Sequence, residues 1–159
     1  MEEIQISLGM LDIARNKANE LGRLNNSILK GKGNLAGFLG EQLALSFLGG
    51  VWQNTYEYDI VLSNGERVDV KTKQTSVAPL PEYDCSVSNY NIKQKCDSYA
   101  FVRIKNDFTV GWYLGKIGKE DFQKKAIFMK KGEVDPSNNY RVRADCYNIK
   151  IHELNTLVQ

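Results

Sequence analysis

The sequence predicts an α/β fold, a mixed β-sheet flanked by helices and preceded by an N-terminal helix. Three observations lead there. Apolar residues recur at helical spacing in two successive N-terminal stretches. A strictly alternating run, Arg67 to Lys73, follows a turn signature. Apolar strand-like runs, interrupted by short polar segments, fill much of the remainder. At 159 residues the chain suits one domain. Within it, residues 1–32 form an N-terminal helical segment, 33–130 a core, and 131–159 a C-terminal extension.

The first helix is expected from about Ile6 to Leu29. Leu11, Ala14, Ala18, Leu21 and Ile28 step along it by threes and fours, broken at Asn25. That stripe either packs on the domain or serves as a seam between chains. Gly31-Lys32-Gly33-Asn34 ends the segment, with Asn34 placed to cap a second helix from Leu35 to Leu48. There Leu35, Leu39, Leu43 and Phe47 recur every four residues, and Gly49-Gly50 stops the helix. Glu41 lies at the border of this apolar face, beside Gly37 and Gly40.

A β-hairpin follows, Tyr56 to Leu62 and Arg67 to Lys73 around Ser63-Asn64-Gly65-Glu66. Val68, Val70 and Thr72 face one way; Asp69, Lys71 and Lys73 face the other. A short strand is expected over Tyr83 to Val87, and a short helix over Asn89 to Cys96. Strands over Tyr99 to Ile104 and Phe108 to Leu114 turn at Lys105-Asn106-Asp107. A lysine-rich helix covers Gly118 to Ala126, and the tail, Tyr140 to Leu157, carries a strand and a turn of helix.

Composition excludes several classes. Three prolines in the whole chain argue against disorder and collagen-like structure. No apolar run reaches the length of a membrane span. Met1-Glu2-Glu3 lacks the basic start of a signal peptide, which predicts a cytoplasmic protein with no membrane partner. Net charge is only +2, so the total does not mark a nucleic-acid binder. Lysines do concentrate between Lys116 and Lys131, a face that is either solvated or turned to phosphates. Cys85, Cys96 and Cys146 form no C-x-x-C, and His152 is the single histidine. A zinc site and histidine-based catalysis are therefore not expected, and the thiols read as buried and reduced.

Chemistry concentrates in Glu41, Asp59, Asp69 and Lys71. Aspartate is depleted in strands, yet Asp59 and Asp69 lie among Val, Ile and Tyr. Asp69 and Lys71 share a face. Carboxylates brought together repel unless a cation separates them, and a few hard oxygens are what Mg²⁺ accepts. Hairpin register decides whether Asp59 joins them. A two-residue Asn64-Gly65 turn turns Asp59 away from Asp69. A three-residue Ser63-Asn64-Gly65 loop, with Gly65 left-handed, sets the two opposite each other.

Taken in order, Glu41 in Gly37-Phe38-Leu39-Gly40-Glu41, then Tyr58-Asp59, then Asp69-Val70-Lys71 resembles the PD-(D/E)XK nuclease superfamily, which includes restriction enzymes, resolvases and some homing endonucleases. The resemblance covers roughly residues 35 to 105. Tyr58 stands where that family carries a proline. The resemblance implies a restriction-endonuclease-like sheet and a Mg²⁺-dependent endonuclease (Mn²⁺ substituting) that hydrolyses DNA and leaves a 5′-phosphate. It implies Asp59, Asp69 and the Val70 carbonyl as metal ligands, with Glu41 supporting the ion directly or through water. Lys71 would orient the attacking water and stabilise charge growing on the phosphate. Lys73 and, beyond the strand, Gln74 could touch phosphate, while Lys93, Gln94 and Lys95 could approach a DNA backbone. Family members of this size usually act as homo-oligomers, so a dimer or tetramer is expected.

Other readings follow from the same residues. A Holliday-junction resolvase reads branched shape, whereas a homing or restriction-type enzyme reads a site; nicking of a four-way junction alone separates them. A non-catalytic nucleic-acid-binding module would keep the fold without cutting. An oligomeric scaffold would depend only on the N-terminal helix.

Overall fold

The computed structural model describes residues 1–25, 32–53 and 55–155. The chain forms a mixed α/β structure around a six-stranded sheet. In chain order the elements are β1 (Glu2–Gln5), α1 (Leu8–Asn25), α2 (Lys32–Leu48), β2 (Val51–Trp52), β3 (Ile60–Val61), β4 (Arg67–Thr75), β5 (Asp84–Ser88), β6 (Ser98–Lys105), β7 (Val110–Gly118), α3 (Lys119–Lys125), β8 (Ile127–Met129) and β9 (Cys146–Lys150). The large sheet runs β1-β7-β6-β4-β3-β2, and a second, three-stranded sheet runs β5-β9-β8. β4 and β6 are parallel neighbours; the other pairs are antiparallel.

Two apolar layers follow from the alternation of β4 and β6. Val68, Val70, Ala100, Val102 and Ile104 point to one face, where Leu39 and Leu43 of α2 and Ala14 and Ala18 of α1 cover them. Tyr99 and Phe101 point to the other, against Phe122 of α3 and the Val87 and Ile149 side chains of the small sheet. Leu11 and Leu21 also pack on the first layer. The α1 stripe is thus packed within the chain as far as Leu21, the first of its two expected roles; Ile28 lies outside the described residues.

Several local expectations need correction. α1 begins at Leu8, because the residues before it form β1 against β7. α2 begins at Lys32, so Asn34 lies inside the helix and does not cap it. The first hairpin arm has strand pairing only at Ile60–Val61. The expected helix over Asn89 to Cys96 reduces to one 3₁₀ turn, Asn91–Lys93. The C-terminal extension is integral, since β9 is the central strand of the small sheet. Cys85 and Cys96 are buried free thiols, and burial pushes the Cys85 thiol up to about 12. Among the described residues, no helix is long and apolar enough to cross a membrane.

Close packing of α2 on β4 sets the depth of Glu41. A methyl group added at Gly40 would overlap the Thr72 side chain, coming within 2.9 Å of both its Cβ and Cγ2 and closer still to Oγ1. Gly40→Ala should therefore destabilise the protein by about 1–3 kcal/mol, as overpacking does, despite the better helix propensity of alanine. Thr72→Ala in the same chain should recover part of the loss, because Thr72 Oγ1 has no hydrogen bond to lose. Urea melts of the single and double variants check this.

Candidate active site

The hairpin turn sets the site. Leu62 and Glu66 close a three-residue loop, with the Leu62 amide donating to the Glu66 carbonyl at 2.9 Å and Gly65 at φ +84°. Only glycine adopts that φ without cost. Ile60 then pairs with Val68. The Asp59 amide also donates to the Val68 carbonyl, at 2.9 Å, so two residues oppose one and the first arm bulges at Asp59. The loop is the three-residue one, but the bulge keeps Asp59 out of a direct pair with Asp69; the two carboxyls still lie close enough for their charges to interact.

Because β3 is so short, no strand covers β4 beside Val70. The Asp59 side chain takes the place of one: its Oδ2 accepts the Val70 amide at 2.7 Å. In a strand the carbonyl leaves on the same side as the amide of its own residue. The Val70 carbonyl therefore faces this open edge as well.

Glu41 reaches the same place from α2. Glu41, Asp59 and Asp69 are 8%, 7% and 4% exposed. Burial is the main force on each. It raises Glu41 to about 7 against the counteracting Trp52 hydrogen bond and Lys17 charge. It raises Asp59 to about 8, with the Glu41 and Asp69 charges adding to it. Asp69 is also raised by burial, opposed first by Lys71. Protonated Asp59 carries one O–H, which it can donate to one neighbouring carboxylate, Glu41 or Asp69.

Each group has a support. Trp52 Nε1 donates to Glu41 Oε2 at 2.5 Å, and Lys17 Nζ lies 3.4 Å over the Trp52 ring. Lys71 Nζ lies 2.6 Å from Asp69 Oδ2. That contact is an ion pair without hydrogen-bond geometry, and Asp69 Oδ2 stays buried with no hydrogen-bond partner. Lys71 Nζ donates instead to Gln94 Oε1 at 3.0 Å. Gln94 Nε2 donates to the Tyr56 carbonyl at 2.5 Å, and Lys119 Nζ donates to the Gln94 carbonyl.

The structure thus gathers Glu41, Asp59, Asp69, Val70 and Lys71. Lys73 lies further along β4 on the same face as Lys71, and Gln74 is exposed on the other. Lys93 and Lys95 are exposed and outside the cluster. Gln94 differs from its expected place: it is 8% exposed, and both ends of its amide are engaged. It is a positioning group for Lys71. Of the lysine-rich stretch, Lys116 pairs with Glu66 at 2.5 Å, whereas Lys124, Lys125, Lys130 and Lys131 are exposed. Sequence reasoning missed Trp52, Lys17 and Lys119. Only Trp52 carried a signal, since a tryptophan placed near a buried helix needs a partner for its N–H.

Among the described residues, no three His, Cys, Asp or Glu side chains already stand as a metal-ligand set. No protein-family model matches this chain, and no curated protein matches it.

Proposed function

We propose that the protein is a metal-dependent endonuclease of the PD-(D/E)XK type that hydrolyses DNA phosphodiester bonds, using Mg²⁺ or Mn²⁺. One observation carries the reading: three nearly buried carboxylates, Glu41, Asp59 and Asp69, are raised above their ordinary protonation range, chiefly by burial, beside the Lys71 ammonium. Buried like charges are costly without a counter-ion. The residues fit a hard divalent cation by donor chemistry, all oxygen, with Asp69 Oδ2 held only by its ion pair to Lys71. Asp59, Asp69 and the Val70 carbonyl would hold it, with Glu41 behind them. When bound, such an ion lowers the pKa of its water and draws charge from a phosphoryl group.

The chain's own groups do the rest. Lys71, fixed by Gln94, presents an ammonium where negative charge would develop on a phosphate. Trp52 fixes Glu41 through its N–H. The mixed sheet with α1 and α2 on one face agrees with a restriction-endonuclease-like arrangement, although the small second sheet is an addition to what the sequence suggested.

The test is cleavage of linear duplex, single-stranded and four-way-junction DNA by wild type and Lys71→Ala, with and without Mg²⁺. Wild type should cut only with the ion, and Lys71→Ala should lose at least about 100-fold in rate, the scale of one lost electrostatic stabiliser. Folded wild type that cuts none of these with Mg²⁺ or Mn²⁺ would leave a non-catalytic binding module as the better reading.

A further inference from the structure

The face of β4 and β6 that carries Lys71 continues into a cleft of about 660 Å³ beneath the small sheet. Lys73 and Arg103 are direct cross-strand neighbours there. Like charges so placed repel. Arg103 is 6% exposed. Its Nη2 donates to the Asp84 carbonyl at 2.9 Å, and its guanidinium lies 5.4 Å from the Tyr83 ring, but among the described residues it has no carboxylate within ion-pair distance. Lys73 has none either; its amine stands 5.3 Å from the Tyr140 ring. Burial and the Arg103 charge hold the Lys73 amine below its ordinary range, although the residue as a whole is exposed.

The acidic groups of the cleft have closer partners of their own, although the Asp84 charge also acts on Lys73 and Arg103. Asp84 Oδ1 pairs with Lys150 at 2.7 Å, and Asp135 Oδ1 accepts the Ser137 hydroxyl and amide at 2.6 and 2.8 Å. Two adjacent cations in a sheltered cleft, with the local carboxylates turned to other partners, make a site for an anion.

We infer that this cleft holds an unpaired stretch of the DNA strand, with a phosphate on Lys73 and Arg103 and a base against Tyr140. The inference rests on the nuclease reading for the strand's continuation to Lys71. Lys73 follows Lys71 by two residues, about 7 Å along a strand, on the scale that separates successive phosphates. A cleft of about 660 Å³ is the size of a small-molecule pocket, which admits a nucleotide or two and not a duplex. Tyr140 is 44% exposed and offers an aromatic face at the cleft, as single-strand grooves do.

The test is fluorescence anisotropy in EDTA, with a labelled oligothymidylate of about 12 nucleotides, within the usual site sizes, and a blunt hairpin duplex of the same nucleotide count. Wild type should bind the single strand more tightly. Tyr140→Ala should weaken strand binding about 5- to 100-fold, as loss of a stacking partner does. Lys73→Ala should weaken it and reduce the salt slope by about 0.7, as loss of one phosphate contact does. Both side chains are exposed, and melting temperatures matching wild type verify folding. Equal or tighter binding of the duplex, or folded variants that bind with unchanged affinity and salt slope, would overturn the inference. With the ion absent, a protein that never cuts still reports on the cleft. A protein that cuts duplex without strand preference refutes the cleft assignment and leaves the nuclease reading standing.

Discussion

Asp59→Asn should abolish cleavage and make the metal-free protein more stable at pH 8. The two effects have one origin. Asp59 is 7% exposed and its carboxyl is raised to about 8 by burial and by the Glu41 and Asp69 charges. Asparagine resembles the protonated acid. Its carbonyl oxygen can still accept the Val70 amide, now held at 2.7 Å, and its NH₂ can face the neighbouring carboxylates at every pH. The sign follows from proton counting. Between about 3.8 and 8 the unfolded wild type has lost this proton and the folded form keeps it, so wild-type stability falls as pH rises. The asparagine chain carries no such proton. Its advantage is therefore absent below about pH 4 and full above about pH 8. At about 1.4 kcal/mol per pH unit the gain reaches a few kcal/mol, or roughly 10 °C in melting temperature. Activity should fall by at least about 100-fold, because a carboxylate that would hold the ion is gone. Stability lost to function in this way is common at working sites. Thermal melts from pH 4 to 9 in EDTA, beside cleavage assays in Mg²⁺, check both halves; a variant less stable than wild type at pH 8 would refute the account of Asp59.

What could be read in the sequence was whatever local chemistry fixes. The hairpin was legible because Gly65 permits a left-handed turn, but Gly65 suits a two- and a three-residue loop alike, so the register and the bulge at Asp59 were not. α2 was legible because its leucines recur every four residues. β1, β2 and β8 were not, since they hold four, two and three residues, too few for a period to show. They exist because a neighbouring strand offers an edge. Lys93-Gln94-Lys95 looked like an exposed polar run, and two of the three are; Gln94 is buried because Lys71 and the Tyr56 carbonyl, both distant in sequence, need its amide. The small sheet pairs β5 with β9 across the sequence from Asp84 to Lys150, and no local pattern encodes that pairing. The cleft beside Lys73 was hidden for the same reason.

Proton release should accompany divalent-ion binding, and the stabilising effect of Mg²⁺ should grow with pH. Glu41 is raised to about 7 and Asp59 to about 8, so at pH 6 both carry protons that an ion must displace. Near pH 8.5 both are largely ionised, and the metal-free cluster then holds its repulsion without a counter-ion. Apparent affinity should climb by up to about tenfold per pH unit for each proton displaced, levelling off above about pH 8. Metal-free stability runs the other way. Both carboxyls have folded values above their ordinary ones, so their contribution is full below about pH 4 and is lost as pH rises through 7 and 8. The melting-temperature difference with and without Mg²⁺ should therefore be small at pH 6 and largest near pH 8.5. Asp59→Asn should flatten it, since it removes both a ligand and a displaced proton. Trp52 offers a second readout, because its N–H bonds Glu41 at 2.5 Å and its fluorescence should respond when Glu41 changes state. Trp52→Phe in parallel separates that signal from Trp112. A Mg²⁺ effect on stability that is equal at pH 6 and 8.5 would mean that the ion is held by groups other than these carboxylates, because no ordinary surface aspartate or glutamate still carries a proton in that interval.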